Sequence, residues 1–176
     1  MTTRCPAGPA ISRDDALRLR DGLTVLVIRA GLAILAVDRG ALGVEGKADG
    51  SPVTQADLAA DRVIAAGLAA LRPDIPVVSE ESAGDATRLG GSFFLIDPLD
   101  GTKEFIAGRD EFTVNLALVM DGTPVLGIVS APAKGLLWRG VVGAGAERLT
   151  LEPDGGVVET APTEEGRLPS ARSARP

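Results

Sequence analysis

Residues 92–105 read SFFLIDPLDGTKEF, and no other stretch restricts the fold of this chain as much. Phe93-Phe94-Leu95-Ile96 is a short apolar run bounded by turn residues, the pattern of a buried strand. Asp97 and Asp100 follow three residues apart, and Pro98 with Gly101 predicts a tight turn that ends the strand. A carboxylate at the end of a buried strand is costly unless a cation meets it. The chain contains no histidine, so two such carboxylates point to a hard, oxygen-preferring metal ion, Mg²⁺ first. Gly101 and Thr102 open a turn or helix whose free N–H groups suit a phosphate. Metal ligands beside an anion cradle suggest phosphoryl transfer to water.

Composition removes most other chemistries. At 176 residues the chain fits one domain able to bury roughly 70% of its unfolded surface. The net charge of −6 argues against a nucleic-acid or anionic-membrane surface, which would need a basic patch. Cys5 is the only cysteine, so neither a disulfide nor a zinc–thiolate site forms within one chain. Without histidine there is no Ser-His-Asp or Cys-His nucleophile, and catalysis falls to carboxylates, hydroxyls, Lys, Arg and metal. The apolar stretch Leu23 to Val37 contains Arg29 and falls short of the roughly 20 residues a membrane span needs. It reads as a buried helix of a soluble, cytoplasmic protein with no membrane required.

Taken in order, residues 1–11 read as a flexible tail. Ser12 caps a helix running to about Val37, with Asp14 and Asp15 in its first turn. Residues 44–54 form a strand-and-turn connection, and Thr54 caps a second helix with Asp57 at the reciprocal capping position. Its stripe is Val63, Ile64, Leu68 and Leu71, and Pro73 stops it. Pro76 to Ser79 is a short strand ending at Glu80-Glu81. Three or four strand-like runs follow the central one, Thr113–Met120, Pro124–Ser130, Gly135–Val142 and Glu147–Leu151, the first two joined by an Asp121-Gly122 hairpin. The order predicts an α+β fold, two long helices packed on a mainly antiparallel sheet. Residues 12–152 form the metal- and phosphate-binding domain, and residues 153–176 a disordered or truncated end.

Asp57, Glu80, Asp97 and Asp100 each sit at the end of an element. Singly, Asp57 is a capping carboxylate, Glu80 a solvated loop residue, Asp97 the anchor of an Asx turn, and Lys47 a surface lysine. Together, behind an apolar strand, they are hard to justify structurally. Haloacid-dehalogenase-type phosphatases carry Asp-x-Asp-Gly-Thr after a strand, whereas this chain has Asp-x-x-Asp-Gly-Thr, a spacing that misdirects the second carboxylate.

DPLDGTKEF (97–105), GKADGSPVTQADLAAD (46–61), PVVSEES (76–82) and EFTVNLALVMDGTPVLGIVSAP (111–132) resemble the inositol monophosphatase-like Mg²⁺ phosphatases, and within them the 3'(2'),5'-bisphosphate nucleotidase branch. The resemblance covers about Leu17 to Glu147 and implies a sugar-phosphatase-like fold with two or more Mg²⁺ ions. It implies that Glu80, Asp97 and the Leu99 carbonyl bind one ion and that Asp97 and Asp100 bind a second. Gly101 and Thr102 would donate N–H groups to the phosphate, with Lys47 nearby. Glu80, and the Thr102 hydroxyl oriented by Asp57, would position the attacking water.

The family continues into a second α/β half with a Trp-Asp-x-Ala-Ala-Gly-type motif, which is missing here: Trp138 is followed by Arg139. The expectation is a fragment, a truncated product, or a chain that borrows the missing part as a homo-oligomer. The partner is then a small phosphomonoester, adenosine 3',5'-bisphosphate or alternatively an inositol phosphate. The non-catalytic alternative is a half that only binds metal or associates through an uncovered apolar surface.

Overall fold

A computed structural model of the chain describes residues 9–41, 44–46, 52–81 and 91–162. Lys47 lies outside the described residues.

Helix α1 spans Arg13–Leu35 and α2 spans Gln55–Leu71. Each begins with a reciprocal capping box. The Ser12 hydroxyl accepts the Asp15 N–H at 3.1 Å, and Asp15 accepts the Ser12 N–H at 3.2 Å. Thr54 and Asp57 repeat the arrangement on α2. Leu23, Leu26, Val27, Ala30 and Ile34 form the buried stripe of α1. On α2 the stripe is Ala56, Ala60, Ile64 and Leu68, a run at four-residue intervals that turns Leu71 outward to 43% exposure. Leu71 was expected inside. The helices pack closely where Gly67 meets Leu26, with no room for a Cβ.

Strands β1 (Val44–Gly46) and β2 (Pro52–Thr54) form a small antiparallel pair. Seven further strands form one sheet in chain order: β3 (Val77–Ser79), β4 (Ser92–Asp100), β5 (Thr113–Met120), β6 (Thr123–Ala131), β7 (Leu136–Val141), β8 (Gly145–Leu151) and β9 (Val157–Pro162). Among the described residues only β3 and β4 pair in parallel. Helix α1 lies over β5–β7 and α2 over β3 and β4. Phe94, Ile96, Leu116, Leu118 and Ile128 point to the helices and are buried with them. Alternate residues Leu95, Val129 and Trp138 lie on the other face, each about two-fifths exposed.

The central strand departs from expectation. Instead of ending at Ile96, β4 continues through Pro98 to Asp100. Its pairing to β5 passes from Asp97↔Asn115 to Asp100↔Thr113, three residue steps against two, which is a bulge. Proline lacks the N–H that a regular ladder requires, and a bulge is where a strand tolerates it. The hairpin forms as read, with Asp121 at φ 48° and Gly122 at φ 77°, both left-handed as a two-residue turn of this hand requires. Order also persists past Pro153: the chain turns at 153–156 and returns as β9 along β8. Gly, Glu and Pro in this stretch signal a loop, but an edge strand needs only backbone partners on one side. At the other terminus Ile11, read as tail, is buried. Among the described residues no helix is long and apolar enough to cross a membrane.

Candidate active site

The site forms where β3, β4 and the start of α2 come together. Because β3 and β4 are parallel, their carboxyl ends are neighbours, with Ser79 opposite Ile96. The Glu80 N–H donates to the Ile96 carbonyl at 3.2 Å, which sets Glu80 beside Asp97. Asp97 Oδ1 is buried with no hydrogen-bond partner. Burial above all, then the Glu80 carboxylate and its hydrogen bond, then Asp100, push the Asp97 carboxyl up to about 7, against the pull of the Leu99 N–H. Asp100 is exposed and Leu99 buried. A cavity of about 610 Å³ runs from here across β4 and β5 to β6 on the sheet face that carries Leu95 and Val129, with Glu80, Asp97 and Asn115 among its lining residues.

Asp57 anchors the other side. It is fully buried, and its Oδ2 accepts the Thr54 N–H at 2.8 Å and the Thr54 hydroxyl at 2.6 Å. Its Oδ1 accepts the Thr102 hydroxyl at 3.0 Å. The Leu99 carbonyl, 3.2 Å from Thr102 Oγ1, is a second acceptor for the same proton. Thr102 opens α3 (Thr102–Ile106), with Gly101 as its N-cap at φ 97°. A Cβ at Gly101 would lie 2.8 Å from the Glu111 carbonyl oxygen, so conformation and space both demand glycine. Phe105 and Phe112 meet edge to face at 5.2 Å, and the Arg39 guanidinium stacks 4.7 Å from the Phe105 ring centre. This cluster seats the short helix and hence Thr102.

Asp57 and Thr102 are thus joined directly, and Glu80, Asp97 and Asp100 share one electrostatic field. Among the described residues, no group of three acidic or other metal-ligating side chains converges closely enough to hold an ion alone. The donors present are nonetheless all oxygen, and a buried, unpartnered Asp97 oxygen facing a second carboxylate fits a hard cation. Sequence reasoning missed Asp61, whose Oδ1 accepts the Ser79 hydroxyl at 2.6 Å. Its four-residue spacing from Asp57 was the available signal. Asn115 was missed as well, and only the β4–β5 register places it opposite Asp97.

Two helices on one face of a largely antiparallel sheet, with carboxylates and a Gly-Thr helix start gathered at its parallel edge, define the fold of inositol-phosphatase-type proteins. The profile of the inositol monophosphatase family matches residues 19–173, and the chain belongs to that family. It is 47% identical over 127 residues to a 3'(2'),5'-bisphosphate nucleotidase, CysQ, of Escherichia coli, covering 70% of this chain and 52% of that protein. The crystal structure of CysQ from Bacteroides thetaiotaomicron, a bacterial member of the inositol monophosphatase family, matches with a TM-score of 0.62 at 36% identity, covering 80% of this chain and 51% of the other. The extragenic suppressor protein suhB of Bartonella henselae matches with a TM-score of 0.66 at 29% identity, covering 73% and 51%. The chain therefore spans about half the length of the relatives it matches.

Proposed function

We propose that the chain carries the metal- and phosphate-binding part of a Mg²⁺-dependent phosphomonoester hydrolase of the 3'(2'),5'-bisphosphate nucleotidase type, converting adenosine 3',5'-bisphosphate to AMP and phosphate. The name of the 47% identical relative points to this substrate. The observation that carries the chemistry is the buried, unpartnered Asp97 oxygen beside the Glu80 carboxylate. A half-buried carboxylate held beside two others costs stability, and a bound cation is what offsets it.

In this reading Glu80, Asp97 and the Leu99 carbonyl hold one Mg²⁺, and Asp97 and Asp100 a second. When bound, the ions supply positive charge to the phosphoryl oxygens and lower the pKa of water. The chain's own residues then orient and deprotonate. Glu80 accepts a proton from the attacking water. Thr102 Oγ1, its proton directed to Asp57 Oδ1, presents a lone pair to that water. Asp57 keeps this direction because Thr54 occupies its other oxygen twice. Gly101 and Thr102 turn backbone N–H groups toward the phosphate.

The test is phosphate release from adenosine 3',5'-bisphosphate and from inositol 1-phosphate by this chain, with and without Mg²⁺, alongside Asp97→Asn. Mg²⁺-dependent turnover of the nucleotide, abolished in the variant, is the expected result. Faster release from inositol 1-phosphate would replace the substrate. Equal release by parent and variant would overturn the site.

A further inference from the structure

Asp57 and Asp61 stand one turn apart on α2, a rise of about 6 Å, and share a helix face. Each takes a hydroxyl from a different strand end. Asp57 receives Thr102, which follows β4, at 3.0 Å, and Asp61 receives Ser79, the last residue of β3, at 2.6 Å. Ser79 is 3% exposed and has one proton, which goes to Asp61. Its oxygen is then free to accept the Glu81 N–H, 3.3 Å away. Glu80 lies between these two residues, and its own N–H is held by Ile96. The backbone is thus pinned before, at and after Glu80, and the pin after it depends on a hydroxyl that Asp61 orients.

We propose that Asp61 is a positioning residue acting through Ser79: α2 sets the spacing between the Glu80 and Thr102 arms of the site with two carboxylates one turn apart. This rests on the assignment of Glu80 to the metal site made above. Losing Asp61 frees the Ser79 hydroxyl to rotate, releases the Glu81 amide, and lets the Glu80 carboxylate move away from Asp97. Partners that orient a ligand typically change metal affinity 10- to 100-fold when removed.

The experiment uses the full chain with Asp61→Ala, Asp61→Asn, Ser79→Ala and the Asp61→Ala/Ser79→Ala double variant. Mg²⁺ binding is measured by calorimetry, and exchange of the Glu81 amide by hydrogen–deuterium NMR without metal. About tenfold weaker Mg²⁺ binding is expected for each alanine variant, and no further loss in the double, because the two residues act in series. Asp61→Asn keeps an acceptor for Ser79 and restores most of the affinity. Exchange at Glu81 quickens in both alanine variants, while that at Ala56, capped by Thr54, does not. Unchanged Mg²⁺ affinity and Glu81 exchange in folded Asp61→Ala overturn the proposal, as does a double variant whose loss is the sum of the singles. If Asp61→Ala does not fold, Ser79→Ala decides by the same two readings. A parent chain that binds no Mg²⁺ instead overturns the metal-site reading, and the Glu81 exchange still decides whether Asp61 orders this segment.

Discussion

Replacing Asp57 separates its part in the fold from its part in the chemistry. Alanine at this position removes three hydrogen-bond acceptances by one buried carboxylate. Thr102 retains the Leu99 carbonyl, 3.2 Å away, as an acceptor. Thr54 retains none for its N–H or its hydroxyl proton, and each buried unpaired group costs about 1–3 kcal/mol. At the middle of that range the two groups together cost about 4 kcal/mol, or roughly 8–16 °C in the unfolding midpoint for a domain of this size. Asparagine behaves differently. Its oxygen can take the Oδ2 position and keep both Thr54 bonds, which places the amide NH₂ toward Thr102. The Thr102 hydroxyl then accepts from the amide and donates to Leu99. Every polar group stays paired, so Asp57→Asn costs no more than about 1.5 kcal/mol. The Thr102 hydroxyl proton is turned from the carboxylate to Leu99, however, and the lone pair still offered to water is no longer strengthened by a charge-assisted bond to Asp57. Activity falls about 10²- to 10⁴-fold, the usual contribution of a positioned proton acceptor. Urea unfolding and phosphate release measured on both variants test the argument. An asparagine variant as unstable as the alanine variant would refute the pairing. One that retains activity within about threefold would refute the role of the hydroxyl's direction.

Four further outcomes follow from other parts of the molecule. Asp97→Asn raises the metal-free unfolding midpoint, because it removes a half-buried carboxylate facing Glu80, and it abolishes the stabilisation that added Mg²⁺ gives the parent; differential scanning fluorimetry with and without Mg²⁺ reads both. Gly101→Ala destabilises by about 1–3 kcal/mol through its left-handed conformation and the close Glu111 carbonyl, seen as a lower urea midpoint. Arg139 bonds Glu147 at 2.8 Å, Asp21 at 2.9 Å and Thr24 at 3.0 Å, tying α1 to β7 and β8 with little side-chain exposure. A double-mutant cycle on Arg139 and Glu147 gives a coupling of about 1–2 kcal/mol that salt screens only partly. The Asp15 carboxyl is held below its ordinary 3.8 by the Ser12 hydroxyl first, then by the Ser12 N–H. A carboxylate with a lowered folded pKa stabilises the fold above its unfolded value and loses that contribution as pH falls through the folded one. Asp15→Asn therefore makes thermal stability less dependent on pH as it falls below the ordinary 3.8, as circular dichroism melts would record.

The two capping boxes, the Asp121-Gly122 turn and the buried strand before Asp97 were legible because each is decided by a few adjacent residues. Ser12 with Asp15, and Thr54 with Asp57, satisfy their own helix starts whatever packs against them. Pro98 misled for the same local reason: proline and glycine near one another read as a turn, while the β5 ladder draws the chain on as a bulged strand. No local pattern marks β9, since its order comes from β8 supplying backbone partners. Arg139 could be read only as the residue after Trp138, because two of its partners, Asp21 and Thr24, are more than a hundred residues away on α1 and Glu147 faces it only through the β7–β8 register.

The candidate site divides along the same line. Glu80, Asp97, Asp100 and Gly101-Thr102 stand at element ends, where polar residues stop an apolar pattern and so attract notice. Asp61 sits inside a helix, where a carboxylate ordinarily belongs to the solvated face, and its four-residue spacing from Asp57 is the one local sign of it. What distinguishes it is the parallel pairing of β3 with β4, which brings Ser79 under the same face of α2 that already holds Thr102 through Asp57. A helix register of four residues thereby becomes a separation in the site: one turn of α2 spans the segment that carries the Glu80 carboxylate and the segment that carries the Thr102 hydroxyl.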